Sequence, residues 1–287
     1  MRMKVNGAKG TLVIVGGAED KTGDAAILKE FIRLAGKAKA RVVIMTVATD
    51  EPEESATEYR RAFRKLGAED AHAIDVSSRN DVLDEKALKL IEQATALYFT
   101  GGDQIHVTSL LGGTRMQELI YKRFKEGLVI GGTSAGAAMM SNSMIIRGDS
   151  NCNPRLGGTE IGPGMDFLPG TMIDTHFSQR GRMGRLLTAV AHYPQDIGFG
   201  IDENTALIVS DGQCEVFGEN SVTVVDAGSI TYTNLPDLAK DEALTLHGVR
   251  VHILSKGHKY DLEKRAPVDG TNKSERAKAA TAEKSKA

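Results

Sequence analysis

A mostly parallel β-sheet flanked by helices is the fold class that the sequence predicts, and three observations carry it. Apolar, β-branched runs end in glycine loops at TLVIVGG (11–17), RVVIMTVAT (41–49), ALYFTGG (96–102) and GLVIGGTSAG (127–136). Runs of this kind mark strands covered on both faces. Helical stretches lie between them, so strand and helix alternate as in a βαβ sheet. The chain of 287 residues is 41% hydrophobic and 26% charged, enough for one large α/β unit with an ordinary core.

Taken in order, 25–35 places Ile27, Leu28, Phe31, Ile32 and Leu34 on one stripe, and 54–66 and 84–94 repeat that pattern. From 145 to 172 the chain is rich in Gly, Pro, Asn and Asp without periodicity, which reads as a long functional loop. A helix is expected at 180–193 and a strand at 199–209. CEVFG and SVTVVDA then alternate like an antiparallel hairpin capping the sheet edge, and 247–254 gives a last strand. From Lys264 to Ala287 there are seven basic and three acidic residues and few large apolar ones. The expected organisation is a single domain over 1–265 and a disordered basic tail over 266–287.

Composition excludes several classes of function. A net charge of -2 and a pI near 6.4 give no global field toward nucleic acid or a membrane surface. No run approaches the roughly 20 apolar residues of a spanning helix. The apolar run Thr11–Val15 stops at a glycine pair, unlike a secretory leader, so a cytoplasmic protein is expected. Cys152 and Cys214 form no repeated spacing, which fits two reduced thiols. No metal-ligand cluster stands out, and neither a metal nor a cofactor is expected.

The informative segment is GLVIGGTSAGAAMMSNS. A strand ending at Ile130 runs into Gly132-Thr133-Ser134-Ala135-Gly136, a G-x-S-x-G turn. A nucleophile on such a turn needs strained torsions, hence small neighbours, and the following helix presents N–H groups to an oxyanion. A phosphate-cradling turn shares the pattern. Serine needs a base and the base an orienting acid. Of seven histidines, His176 stands out in MIDTHFSQRGRMGRL, after an apolar step and before three arginines. His106, after another glycine loop, is its rival. His72, His192, His247, His252 and His258 read as surface or satisfied residues. Asp202 and Glu203 in GFGIDENTALIV are both candidates for the acid. Arg180, Arg182 and Arg185 oppose a helix dipole where they stand, so a carboxylate clamp gains weight. An N–H of Gly101 or Gly102 in TGGDQ is placed to complete an oxyanion hole with Ala135, or the pair is a plain turn.

Together GGTSAGAAMMSN, DTHFSQRGRMGRL, GIDENTAL and FTGGDQ resemble the cyanophycinases, serine hydrolases related to peptidase E, over residues from about 10 to 265. The resemblance implies a flavodoxin-like sheet of the kind found in class I glutamine amidotransferases. It implies Ser134, His176 and Glu203 as the catalytic set, in the family's chain order, with Gly102 and Ala135 as the oxyanion hole. The implied substrate is cyanophycin, a poly-aspartate bearing arginine on each β-carboxylate, cut to β-aspartyl-arginine. Substrate would be bound by Asp103, Gln104, Asp174, Gln179, Arg180, Arg182 and Arg185, with Asp174 or Asp103 as the acid facing a guanidinium. A homodimer is expected, with no nucleic-acid or membrane partner. The arginine run sets the sequence apart from peptidase E, which cleaves aspartyl dipeptides. A non-catalytic anion-binding member of the fold is the other reading, while a glutamine amidotransferase would carry Cys in place of Ser134.

Overall fold

The computed structural model describes residues 9–268. Its first half is built of strand–helix units. β1 (Leu12–Val15) leads to α1 (Ala26–Leu34), whose Ile27, Leu28, Phe31 and Ile32 are buried. β2 (Arg41–Met45) is followed by α2 (Pro52–Lys65), with Pro at its start, Glu53 and Glu54 in its first turn and Arg64 and Lys65 in its last. That order suits both the fixed φ of proline and the helix dipole. β3 (Asp70–Ile74), α3 (Glu85–Gln93) and β4 (Ala96–Phe99) come next. α4 (Gln104–Leu111) is capped by Asp103, and α5 (Arg115–Glu126) by Thr114. β5 (Val129–Thr133) then runs into the short α6 (Ala135–Ala138).

The second half is mainly β. β6 (Ser143–Gly148) and β7 (Thr159–Pro163) pair antiparallel with a register shift between Ile145 and Arg147. β8 (Thr171–Thr175), α7 (Met183–His192), β9 (Ile197–Ile201), β10 (Thr205–Ser210), β11 (Gln213–Gly218) and β12 (Ser221–Asp226) follow. The short β13 (Tyr232–Thr233) and β14 (Leu246–His247) pair with each other. Last come β15 (Arg250–Ser255), β16 (Lys259–Asp261) and β17 (Ala266–Pro267).

Among the described residues one sheet has nine strands, in the order β17-β16-β11-β10-β1-β5-β4-β2-β3. Its five strands from β1 to β3 are parallel, and the other four join antiparallel at the β1 edge. β1, β2, β4 and β5, the four predicted from apolar runs, are buried almost throughout, and the edge strand β3 is partly exposed. A second sheet, β15-β12-β9-β8, stands beside it with β8 and β9 parallel. Phe31, Tyr59, Phe63 and Tyr98 pack as an aromatic cluster between the sheet and the α1 and α2 side. A larger apolar core fills the opposite face and extends to the second sheet.

Three expectations change. The segment 145–172 is not one long loop, because β6 and β7 form a hairpin within it. The run 199–209 is two strands, separated by Asp202, Glu203 and Asn204. Nor do CEVFG and SVTVVDA pair as a hairpin: β11 lies in the large sheet against β10 and β16, and β12 in the small one against β9 and β15. β11 alternates, burying Cys214, Val216 and Gly218, whereas β12 is buried from Val222 to Asp226 and so is covered on both faces in its own sheet. The chain thus crosses between sheets twice at one corner, outward at 202–204 and back at 219–220.

At the C-terminal end, β17 pairs with β16, so residues 266–267 continue the sheet. Arg265 next to it donates Nε to the fully buried Asp226 at 3.1 Å and Nη1 to the Gln195 carbonyl at 2.7 Å. The rest of the expected tail, 269–287, lies outside the described residues.

Candidate active site

The carboxyl ends of β1, β5, β8 and β9 meet where the two sheets adjoin. Ser134 follows β5 with φ 52° and ψ -112°, torsions that a side chain adopts only under constraint. The constraint is visible. Its N–H donates to the Val15 carbonyl at 3.1 Å, and its own carbonyl accepts from Ala137 and Ala138 at 3.0 and 2.9 Å. A Cβ on Gly132 would stand 2.3 Å from the Gly136 carbonyl oxygen, so the two glycines allow the turn to close on itself. α6 is only four residues long, so donors near Ser134 act as individual N–H groups rather than through an extended dipole.

His176 follows β8 at φ 47°, with its N–H donated to the Gly16 carbonyl at 2.7 Å. Its ring lies directly over Gly17, where a Cβ would come within 2.2 Å of the ring carbon between the two nitrogens. Nε2 is 3.0 Å from Ser134 Oγ and Nδ1 is 2.6 Å from Glu203 Oε1. With Nδ1–H donated to the carboxylate, Nε2 is left to accept the serine hydroxyl proton. Burial pushes the His176 pKa below its usual 6.5, and Arg180 and Arg182 push the same way against the raising effect of Glu203. The imidazole is therefore held neutral, as a base must be, at neutral pH.

Glu203 sits in the first of the two crossings. Its N–H donates to Gln179 Oε1 at 3.1 Å, and its carbonyl accepts from Asn220 Nδ2 at 2.8 Å across the corner. The neighbouring Asp202 is committed elsewhere, accepting from Ser178 Oγ at 2.6 Å and Ser221 Oγ at 2.8 Å. The structure thus separates two carboxylates that adjacent positions left equivalent: Glu203 meets the imidazole and Asp202 ties the corner.

Ser134 opens onto a cavity of about 290 Å³ lined by Gly102, Gln104, Ala135, the β6 residues Ile145 to Gly148, Asp174, Arg180, Arg182 and Arg185. The three arginines play different parts. Arg185 is buried, with Nε 2.7 Å from Asp174 Oδ2 and Nη2 on Oδ1. Arg182 bonds the Thr175 carbonyl at 2.6 Å and also reaches Asp174, and burial lowers its pKa to about 10. Arg180 is exposed and forms no ion pair among the described residues. Asp174 is therefore a buried anchor for two arginines rather than a free acid for a guanidinium.

The remaining expected binding residues are also engaged. Gln104 Nε2 donates to the carbonyls of Ile145 and Ile146 at 3.0 and 2.5 Å, pinning the irregular part of the β6–β7 hairpin as a pocket wall. Asp103 caps α4 through the Ile105 N–H at 2.8 Å and does not line the cavity. Gln179 braces Glu203 and likewise stands outside the cavity lining. His106 faces a separate cavity with Asp50 and Asp75. Sequence reasoning missed the β6 wall, the ring seat at Gly17 and the buried Glu19. The glycine pair after β1 was the available signal for the second of these. Among the described residues no group of three or more His, Cys, Asp or Glu is placed to hold a metal ion, and no helix is long and apolar enough to cross a membrane.

Residues 12–217 match Peptidase family S51. A cyanophycinase of Trichormus variabilis is 38% identical over 259 residues, which cover 90% of this chain and 87% of the relative. This chain belongs to peptidase family S51. It is thus an enzyme, a peptidase of the serine type. A second relative, the cyanophycinase of Geminocystis herdmanii, is 38% identical over 264 residues, covering 91% of this chain and 97% of its own. Among solved structures, a peptidase from an acI-B1 actinobacterium superposes with a TM-score of 0.64 at 22% identity, covering 88% of this chain and 97% of that one. At that identity the likeness speaks for the α/β fold. The S51 match over residues 12–217 takes in β1, the elbow, the histidine segment and the first crossing at 202–204.

Proposed function

We propose that this chain is a cyanophycinase, which hydrolyses the poly-aspartate backbone of cyanophycin to β-aspartyl-arginine dipeptides. The observation that carries the reading is a Ser–His–Glu hydrogen-bonded relay opening directly onto an arginine-walled cavity. Each repeat of the polymer displays an arginine α-carboxylate, and Arg180 is the partner free to grip it in a bidentate pair. Asp174, Arg182 and Arg185 form the fixed floor behind it. The likeness to cyanophycinases over most of the chain supports the same substrate.

In this mechanism His176 Nε2 takes the proton from Ser134 Oγ as the oxygen attacks the backbone carbonyl. Glu203 holds the imidazole in the required tautomer and stabilises it when charged. Among the described residues the N–H groups of Gly101, Gly102 and Ala135 have no hydrogen-bond acceptor. This leaves Ala135 with Gly102 or Gly101 to receive the oxyanion, at about 3 kcal/mol of transition-state stabilisation per donor. His176 then returns the proton to the leaving amine, and water, deprotonated by the same imidazole, cleaves the acyl-enzyme. The working form is taken to be a cytoplasmic homodimer with a single catalytic unit per chain, open to sedimentation analysis.

The test is incubation of purified protein with insoluble cyanophycin, following turbidity and identifying products by mass spectrometry. Clearing to β-aspartyl-arginine is expected. Cleavage of α-aspartyl dipeptides with the polymer untouched would move the chain to the peptidase E side of its family.

A second expectation concerns Arg180. Its charge lowers the His176 pKa, so Arg180→Ala raises that pKa and moves the acid limb of kcat/KM to higher pH. Loss of a charged hydrogen-bonded pair should also reduce kcat/KM on the polymer about 10- to 100-fold. A pH–rate profile reads both effects, and an unmoved limb with unchanged kcat/KM would rule the carboxylate grip out.

A further inference from the structure

The end of β1 and the loop after it bond the segments that carry all three members of the relay. Val15 and Gly16 accept from the Ser134 and His176 amides, and the Gly17 carbonyl accepts the N–H of Asn204, next to Glu203, at 2.9 Å. The Asp20 N–H returns to Asn204 Oδ1 at 3.1 Å. Between these contacts stands Glu19, only 4% exposed. Its Oε2 accepts from Thr133 Oγ1 at 2.6 Å, and its Oε1 accepts from Tyr98 at 2.9 Å and from Tyr59. Among the described residues it forms no ion pair; the nearby Lys21 instead pairs with Glu58 and lies over the Tyr59 ring.

A buried carboxylate without a cation is a costly way to fill space, and three hydroxyl donors only partly offset that cost. As scaffolding for the aromatic cluster, an apolar residue would serve better. What a carboxylate offers here is a rigid acceptor for several hydroxyls at once, since it has four lone-pair sites and no donor of its own. One of those hydroxyls belongs to Thr133, the residue immediately before the strained Ser134. Strained torsions persist only where the surroundings over-determine them. The main-chain bonds of Ser134 hold its amide and carbonyl, while the Thr133–Glu19 bond holds the last residue of β5 from the opposite face of the sheet.

We infer that Glu19 is a positioning residue for the nucleophile, clamping Thr133 so that Ser134 Oγ stays on line with His176. The inference rests on Ser134 being the nucleophile, as in the proposed function, but not on the identity of the substrate. Glu19 touches neither substrate nor the reacting atoms. Its effect passes through one side-chain bond to the elbow, and the same loop seats the His176 ring over Gly17. A small displacement of reacting atoms is enough to be felt, since a misplacement of about 1 Å costs on the order of 100-fold in rate.

The test compares wild type, Glu19→Gln, Thr133→Val and the double variant, read by the rate of Ser134 labelling with a fluorophosphonate and by kcat and KM on cyanophycin. Circular dichroism and melting temperature identify any variant that fails to fold, and Thr133→Val, a near-isosteric change, keeps the question open if Glu19→Gln does. Both single variants should label and turn over about 10- to 100-fold more slowly, with KM within about twofold of wild type. The double variant should be little slower than either, because both remove one bond. Folded single variants that label at the wild-type rate, or losses that multiply in the double variant, would overturn the inference. Wild type that labels at Ser134 yet leaves cyanophycin intact would refute the substrate alone, with the labelling rates still deciding the role of Glu19. Wild type that fails to label would overturn both.

Discussion

Ser134→Ala is expected to lower turnover of cyanophycin by about 10⁶-fold, the loss seen when a relay-activated serine is removed and only binding and oxyanion donors remain. The variant keeps the geometry that surrounds it. Alanine meets the same torsional demand at φ 52°, and the bonds to Val15, Ala137 and Ala138 are all main-chain. The arginine floor is built on Asp174 and does not involve the serine hydroxyl. Folding and polymer binding should therefore survive while hydrolysis does not, as co-sedimentation with insoluble cyanophycin and loss of turbidity clearing would report. More than about 1% residual kcat would remove Ser134 as nucleophile.

Glu203→Gln should cost about 10⁴-fold in kcat, the scale of a relay whose acid is replaced by its amide so that the imidazole adopts the wrong tautomer. The substitution also has a signature that simple damage lacks. Glu203 raises the His176 pKa, against burial and two arginines that lower it. Removing the carboxylate lets that pKa fall further, so the acid limb of the residual activity moves to lower pH, opposite to the shift from Arg180→Ala. Two substitutions around one imidazole thus displace one limb in opposite directions. Profiles that move together, or not at all, would mean that another group controls it.

Much of this was legible in the residues. The parallel strands announce themselves because a strand covered on both faces must be apolar at nearly every position, which Leu12–Val15 and Ala96–Phe99 satisfy. The elbow is legible because its sterics demand glycine at 132 and 136. Other features depend on long-range contact. No local pattern says whether an alternating strand joins one sheet or another, so β11 and β12 read as a hairpin although they part company. Asp202 and Glu203 are chemically near-equivalent neighbours, and only the strand ends decide which one faces His176. Asp174 looks like a free acid until Arg185, eleven positions on, is folded back against it. The β6–β7 hairpin was hidden by Gly148, Gly162 and Pro163 within its strands and by Asn151 and Asn153 in the loop between them.

The corner where the chain changes sheets has a consequence for the timing of biosynthesis. Ser134 and His176 precede Glu203, and Glu203 is fastened by Asn220 on the return crossing while Ser221 ties down its neighbour Asp202. A growing chain therefore carries Ser134, His176 and Gln179, which braces Glu203, before Asn220 and Ser221 are there to fasten the corner. The peptidase is expected to gain its activity late in synthesis, once β12 has emerged and paired with β9, so that nascent chains stalled before Asn220 should not label at Ser134 while chains released after β15 should.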